Sequence, residues 1–418
     1  MVLTRSGCLV ALFAALSCSV RPDREPAVDP TGSGGAQGGS AGASGSSTGG
    51  SGGSSAGNGG SGDSGGNAGS AGSDDAGKAA DSGGAPSYPP MPSRVYVDGR
   101  RLMVGKLLPD GGLEPATPYK LKGVSWSPTG IGENNQGYSA KYTKYGPGDA
   151  ELMSALHANS VKTYAPFETT ASGRALLDNL YSRGVMVIMS VMTSAGGAQN
   201  KRYLEAVNSF KNHPGILMWL VGNEFNYNLL FGAGSFARAV QIVNTAIDDI
   251  HAADPDHPVA VSFGEIPTAD QYAQVPNADV WSINLYPYVN FGARFSTWTG
   301  LSNKPMMIGE YGADAWDQRT NRENLPAQAE AIDQLTRQIT AQYSADDPAR
   351  TVLGGTPFTL SDEWWKAEGS DDTHDTGGFA NAIYPDGFAN EEWWGLCTIE
   401  RMPRPAFTTL SGIYSAIP

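Results

Sequence analysis

The chain has 418 residues, a formal net charge of −14 at pH 7 and three cysteines. This acidic balance argues against binding nucleic acid through phosphate contacts, which need clustered lysine and arginine side chains. Cys8 and Cys18 fall in the first residues, so Cys397 stands alone and no internal disulfide is expected in the remainder. The five histidines are scattered, and no Cys/His spacing predicts a zinc site.

The first 17 residues predict an export signal, because Arg5 precedes a short apolar run at 9–16. That run is too short to span a bilayer as a helix. Residues 15–18, Ala-Leu-Ser-Cys, resemble a bacterial lipobox, which implies that Cys18 is lipidated and becomes the first mature residue. Ordinary cleavage and release is the alternative. We therefore expect an exported protein, either a cell-surface lipoprotein or a secreted or periplasmic one.

Residues 18–91 predict a disordered linker. Between 31 and 87 nearly every residue is Gly, Ser or Ala, with scattered Asp. Such a composition cannot bury enough apolar surface to offset the entropy lost on ordering. The segment is expected to act as a flexible tether that holds a globular head away from a membrane. Low-complexity filler without a selected length is the alternative.

Residues 92–418 predict one large domain, since no further linker interrupts them. An Asp98-Gly99 turn between two apolar runs predicts a β-hairpin, which we expect to cover the bottom of the fold. Short apolar runs then predict eight strands, at 120–125, 160–165, 185–191, 216–221, 259–263, 280–285, 305–308 and 352–359. Amphipathic stretches between them predict helices, at 149–157 with Asp149 as N-cap, 172–182, 201–212, 235–252 and 326–343.

This alternation is typical of an α/β fold, a single parallel (β/α)8 TIM barrel with its functional site at the carboxyl ends of the strands. A doubly wound open sheet is the alternative fold. It fits less well, because no glycine-rich phosphate loop follows any early strand.

Two predicted strands end in a carboxylate. The fourth runs into Gly222-Asn223-Glu224 and the seventh into Gly309-Glu310-Tyr311. Burying an unpaired charge is unfavourable, so carboxylates at these positions indicate a function. Opposed carboxylates across a barrel mouth suit a glycosidase, in which one protonates the leaving group while the other attacks the sugar carbon. The Asn223 amide is suited to hydrogen-bond a sugar hydroxyl.

These motifs resemble those of the retaining glycoside hydrolases of clan A, (β/α)8 enzymes that include families 2 and 5 and the β-1,3-glucanosyltransferases. The likeness is greatest to family 2 catalytic barrels and covers roughly residues 119–410. The resemblance implies that Glu224 is the acid/base and Glu310 the nucleophile. It also implies that Tyr286, at the end of the sixth strand, hydrogen-bonds the nucleophile.

The resemblance extends to substrate-binding residues. An aromatic platform under the sugar is implied after the eighth strand, and Trp364 is favoured over Trp365 for that place. Trp126 and Tyr164 end the first and second strands and are expected to line the mouth. Where relatives often carry an arginine on the second strand, this chain has Lys162, which lacks the planar guanidinium fork.

For three charged residues, one lysine and two glutamates, the sequence offers more than one role. Lys162 either takes the place of the family arginine or faces outward while Tyr164 lines the site. Glu265 follows the fifth strand, where a solvated loop is the favoured interpretation. Glu363 either contacts substrate or forms a structural ion pair.

The sequence therefore predicts a retaining O-glycosidase that cleaves a β-linked glycan by double displacement, with a β-glucan-like oligo- or polysaccharide favoured as substrate. No metal or cofactor is required by that mechanism, and no nucleic-acid partner is expected. Membrane contact is expected only through a lipid on Cys18. A transglycosidase using the same site is one alternative, and a non-catalytic cell-surface carbohydrate-binding protein is another.

Overall fold

A computed structural model describes residues 94–108, 110–367 and 369–418. The predicted export signal, the lipid attachment at Cys18 and the linker up to residue 91 lie outside these ranges. Within them, no helix combines the length and the apolarity needed to cross a membrane.

A small antiparallel sheet begins the described chain. Strand β1 (Arg94–Asp98) pairs with β2 (Arg101–Gly105), and β2 pairs in turn with β3 (Thr117–Pro118). Gly99 takes a φ of +60° in the turn, a conformation that favours glycine and confirms the predicted hairpin. Its apolar side chains pack with residues of the barrel interior, so the hairpin covers the amino-terminal end of the barrel.

Eight parallel strands close into a barrel, which confirms the predicted fold. They are β4 (Leu121–Trp126), β5 (Ser160–Thr163), β6 (Met186–Met192), β7 (Ile216–Val221), β8 (Val259–Gly264), β9 (Val280–Asn284), β10 (Met306–Glu310) and, after the short loop strands β11 (Trp316–Asp317) and β12 (Arg322–Glu323), β13 (Val352–Gly355). Strands β14 (Phe379–Ala380) and β15 (Phe388–Ala389) form a small loop hairpin. The eighth barrel strand is shorter than predicted, because Pro357 has no N–H to continue the ladder.

Helices surround the barrel. They are α1 (Tyr138–Ala155), α2 (Ala171–Ser182), α3 (Tyr203–Phe210), α4 (Phe225–Asn228), α5 (Phe236–Ala253), α6 (Ala269–Ala273), α7 (Arg294–Leu301), α8 (Leu325–Thr340) and α9 (Pro405–Ser415), with 3-10 turns at Gly196–Lys201 and Leu229–Phe231. The larger apolar core lies between this layer and the barrel strands. The predicted helices at 172–182, 201–212, 235–252 and 326–343 are confirmed to within a few residues.

The first helix differs from its prediction. It begins at Tyr138, and Asp149 lies in its interior rather than at its N-cap. The sequence Gly146-Pro147-Gly148 is typical of a helix break. The helix nevertheless continues through it, because Tyr142 and Met153 bury fully against the barrel and tertiary packing outweighs local propensity.

Candidate active site

Glu310 ends β10 and is fully buried at the carboxyl end of the barrel. Two donors meet its Oε1: Lys162 Nζ at 2.9 Å and the Tyr164 hydroxyl at 2.7 Å. The Tyr286 hydroxyl donates to Oε2 at 2.9 Å. Lys162 Nζ also donates to the Gly309 carbonyl at 3.0 Å, which fixes the ammonium beside the carboxylate. Side chains from β5, from the segment after it and from the loop after β9 thus converge on one carboxylate.

These contacts keep Glu310 ionised. Burial alone would raise the pKa of Glu310, but the charge of Lys162 and the hydrogen bonds from Lys162 and Tyr164 outweigh it, so the pKa lies below the ordinary glutamate value. Of the two arrangements that the sequence left open, the inward one holds for Lys162, and Tyr164 lies inward as well. A carboxylate that stays charged at neutral pH is the form that a nucleophile requires.

Glu224 follows β7 in a tight turn. Gly222 and Glu224 both take positive φ, 76° and 49°, and this conformation is uncommon for a non-glycine residue. The Glu224 side chain is 2% exposed, and its Oε1 accepts a hydrogen bond from Asn284 Nδ2 at 3.1 Å. An amide thus contacts this oxygen, whereas an ammonium contacts Oε1 of Glu310.

Asn284 is a site residue that the sequence reasoning missed. It ends β9, pairs with Glu310 across the ladder and reaches Glu224 with its amide. Gly309 makes room for it: a Cβ at position 309 would lie 2.6 Å from Asn284 Oδ1 and 2.3 Å from Ser282 Oγ. The available signal was a polar residue at the end of a largely apolar strand, two positions before Tyr286.

Asn223 lies beside Glu224 in the chain and is buried. It is 1% exposed, and its Oδ1 accepts from Ser262 Oγ at 3.3 Å. Its Nδ2 has no hydrogen-bond partner among the described residues. A buried donor without an acceptor is unfavourable, and a substrate hydroxyl would satisfy it.

Trp126 does not line the mouth, which corrects the prediction. It is fully buried, its indole Nε1 donates to Asp149 Oδ2 at 2.8 Å, and its ring packs on Tyr142 at 4.7 Å. Successive side chains of a strand point to opposite faces. Trp126 points into the helix layer, whereas the neighbouring Ser125 faces the barrel interior and donates to the Gly309 carbonyl at 3.4 Å.

Trp364 lies in the loop after β13, where it stacks on His374 with ring centroids 4.8 Å apart. Its role as a sugar platform stays a prediction. The Tyr164 ring packs against Phe358, with ring centroids 6.1 Å apart. Phe358 also packs against Trp394. Phe358 was missed, although it lies nearer to the strand end than either tryptophan considered.

Glu265 and Glu363, the two other carboxylates considered in the sequence, differ in their surroundings. Glu265 is half-exposed and forms an ion pair with Arg294, with Arg294 Nη2 and Glu265 Oε2 2.7 Å apart. Glu363 is buried, accepts the Tyr138 hydroxyl at 2.9 Å and lies 3.3 Å from Lys366 Nζ. In the described part of the chain, no three His, Cys, Asp or Glu side chains gather in an arrangement that could hold a metal ion.

Sequence comparisons agree with this architecture. Residues 179–345 match the family model described as the TIM barrel domain of glycosyl hydrolases family 2. The β-glucuronidase of Rattus norvegicus is 28% identical over 190 residues, which cover 40% of this chain and 27% of that protein. The β-glucuronidase of Chlorocebus aethiops is 32% identical over 122 residues, 26% of this chain and 17% of that protein. The chain thus spans about a quarter of the length of these relatives or less.

Solved structures show the same fold. A family 2 β-galacturonidase from Eisenbergiella tayi, bound to galacturonate, superposes with a TM-score of 0.52 at 16% identity, covering 78% of this chain and 54% of that one. A β-glucuronidase from Dictyoglomus thermophilum gives a TM-score of 0.51 at 17% identity, with the same coverage. At such low identity these likenesses bear on the fold alone.

Proposed function

We propose that this chain, whose barrel is that of a clan A glycoside hydrolase similar to family 2, hydrolyses a β-linked glycoside with retention of configuration. One observation carries the proposal. Glu310 is held ionised by Lys162, Tyr164 and Tyr286, whereas Glu224 Oε1 accepts a hydrogen bond from the Asn284 amide at the end of β9. Two carboxylates in different environments suit two different roles.

In the first step, Glu310 attacks the anomeric carbon and forms a glycosyl–enzyme ester. The bond to the leaving group breaks as Glu224 gives its proton to the departing oxygen. The hydroxyls of Tyr164 and Tyr286 hold the two oxygens of Glu310 and aim the carboxylate. Asn284 orients Glu224, and Asn223 is placed to bind a hydroxyl of the same sugar.

In the second step, Glu224, now ionised, takes a proton from water, which attacks the anomeric carbon and releases Glu310. The two inversions give net retention. A sugar hydroxyl that replaces the water would make the same site a transglycosidase. The substrate favoured by the sequence is a β-glucan-like oligo- or polysaccharide, whereas the names of the relatives raise a β-uronide as the second candidate.

The test is a screen of aryl β-glycosides, oligosaccharides and polysaccharides, followed by proton NMR of the first-formed anomer. We expect the β-anomer first, and mass spectrometry after reaction with a 2-deoxy-2-fluoro glycoside should locate the label on Glu310. Early release of the α-anomer would mean inversion and would remove the nucleophile assignment. Products longer than the substrate would indicate transfer, and sugar binding without turnover across the screen would favour the non-catalytic alternative.

A further inference from the structure

A recess lined by aromatic and polar side chains adjoins the nucleophile. It is lined by four aromatic and three polar side chains: Tyr138, Tyr164, Phe358, Trp365, Ser127, Glu363 and Lys366. Among the residues that the structure describes along its wall, Lys366 supplies the positive charge and Glu363 the negative one.

The recess lies next to the carboxylate that the proposed function assigns as the nucleophile. Tyr164 lines the recess and also donates a hydrogen bond to Glu310 Oε1 at 2.7 Å, so the recess adjoins the nucleophile. The charge of Lys366 is close enough to help lower the pKa of Glu310. A sugar that extends from Glu310 into the recess would meet Glu363 and Lys366, which line it.

The positive charge of Lys366 is already compensated. Its Nζ lies 3.3 Å from Glu363 Oε2 and 3.6 Å from Glu391 Oε2, and its side chain is 4% exposed. It also lies 4.1 Å from the centre of the Phe358 ring. Glu363 is itself fixed by the Tyr138 hydroxyl at 2.9 Å. Two carboxylates thus hold one ammonium before any substrate enters.

The net charge of this group is zero or negative. Burial raises the pKa of Glu391, partly offset by Lys366. With Glu391 protonated the three side chains are neutral together, and with Glu391 ionised they carry one negative charge. A further carboxylate brought into the recess would therefore meet like charge and leave its water shell without gaining a free cation.

We propose that the Glu363–Lys366–Glu391 group selects a neutral sugar and rejects one that carries a carboxylate at C6. Glu363 accepts a hydroxyl proton of the sugar, Lys366 donates to a sugar oxygen, and Glu391 sets the charge by holding Lys366. Discrimination of this kind rests on an unfavourable contact with the wrong ligand as much as on a favourable contact with the right one. The inference rests on the proposed function and would separate this chain from relatives named β-glucuronidase.

The first test compares kcat/KM for two matched pairs, the 4-nitrophenyl β-glucoside with the β-glucuronide and the β-galactoside with the β-galacturonide. In the pair that contains the faster substrate, we expect kcat/KM for the neutral glycoside to exceed that for the uronide by roughly 100-fold or more. A site that hydrogen-bonds hydroxyls strongly rejects an analogue that cannot make those bonds. Glu391→Gln removes one carboxylate from Lys366 and should raise the uronide-to-hexoside ratio at least about tenfold.

Glu151→Gln is the matched control. It removes the same charge from α1, where the side chain is 73% exposed and 3.7 Å from Arg183, and it should leave the ratio unchanged. A wild-type preference for the uronide, or a ratio that does not respond to Glu391→Gln, would overturn the selection by this group.

A binding measurement separates failure of this inference from failure of catalysis. Free glucose, galactose, glucuronate and galacturonate are titrated into the wild-type protein and followed by saturation-transfer NMR. Binding of a neutral sugar in preference to both uronates supports the inference even if no glycoside is hydrolysed. Equal or tighter binding of a uronate, or no binding of either class, overturns it whatever the hydrolysis results.

Discussion

The two ends of the barrel are built from the same strands but from different chemistry. At the amino-terminal end, Leu102 of the hairpin packs with Leu217 and Met307 in a fully buried apolar cluster. Three residues beyond Met307, the same strand ends in Glu310, buried to the same degree but bound to an ammonium and two hydroxyls. One end adds stability by removing apolar surface from water, whereas the other buries charge at a cost.

This difference separates the residues that hold the fold from those to which we assign the proposed chemistry. Changes at the apolar end should reduce the free energy of unfolding and leave turnover per folded molecule intact. Changes at the polar end should reduce turnover far more than stability explains. Ordered by their effect on turnover, variants at the two ends test this division.

Glu310→Gln should reduce kcat most, by roughly 10⁴-fold or more, because the nucleophile is lost rather than weakened. The variant also leaves Lys162 without its carboxylate, so its melting temperature should fall. Steady-state kinetics with an aryl glycoside and circular dichroism melts measure the two effects. Substantial activity in a folded Glu310→Gln protein would place the nucleophile elsewhere.

Glu224→Ala should have the next largest effect, and it should depend on the leaving group. Loss of a general acid costs roughly 10²–10⁴-fold for a sugar leaving group and much less for an activated phenol that departs without a proton. A plot of log kcat/KM against leaving-group pKa should be steep for the variant and shallow for the wild type. Azide should restore turnover by replacing the water that Glu224 activates. A slope unchanged by the substitution would remove the acid/base assignment.

Lys162→Met should have an intermediate effect on turnover with a distinct pH signature. Glu310 must be ionised to attack, and its pKa lies below the ordinary value of 4.5 because Lys162 is present. Without the ammonium that pKa rises, so the acidic limb of kcat/KM should move to higher pH. Lys162→Arg keeps the charge and should keep the limb near its wild-type position.

The same substitution has a consequence for stability. A depressed carboxylate pKa stabilises the folded state above the unfolded value and loses that contribution as pH falls through the folded value. Breaking a buried pair costs roughly 3–5 kcal/mol, so Lys162→Met should be destabilised at neutral pH and approach the wild type as the pH falls through the depressed pKa of Glu310. Urea unfolding at several pH values measures this. A constant difference between the two proteins across that range would contradict the assigned pairing.

The barrel and the positions of Glu224 and Glu310 at strand ends were readable from the sequence because their signals are local. Parallel strands buried on both faces appear as apolar runs, and each glutamate directly follows such a run. Asn284 and Phe358 were not readable in the same way. Asn284 acquires its role from Glu224, 60 residues away in the chain, and no pattern within either segment specifies that contact.

Two errors have physical reasons of their own. The position of Trp126 depends on strand register, and a shift of one residue exchanges the face that points to the mouth for the face that points to the helices. The start of α1 depends on packing, since Tyr142 and Met153 hold a helix through a Gly-Pro-Gly sequence that propensity alone would break.

Leu102→Ala should have the smallest effect on turnover. Its side chain is fully buried between the hairpin and the barrel floor, so truncation should cost roughly 2–5 kcal/mol of unfolding free energy through lost burial and the cavity left behind. Turnover per folded molecule should match the wild type, because the polar contacts of Glu310 lie at the opposite end. Val97→Ala on the same hairpin, where the side chain is only partly buried, is the control and should cost less. If Leu102→Ala changed kcat at a temperature where the variant is fully folded, the two ends would be coupled through the strands, and the division between stability and chemistry would fail.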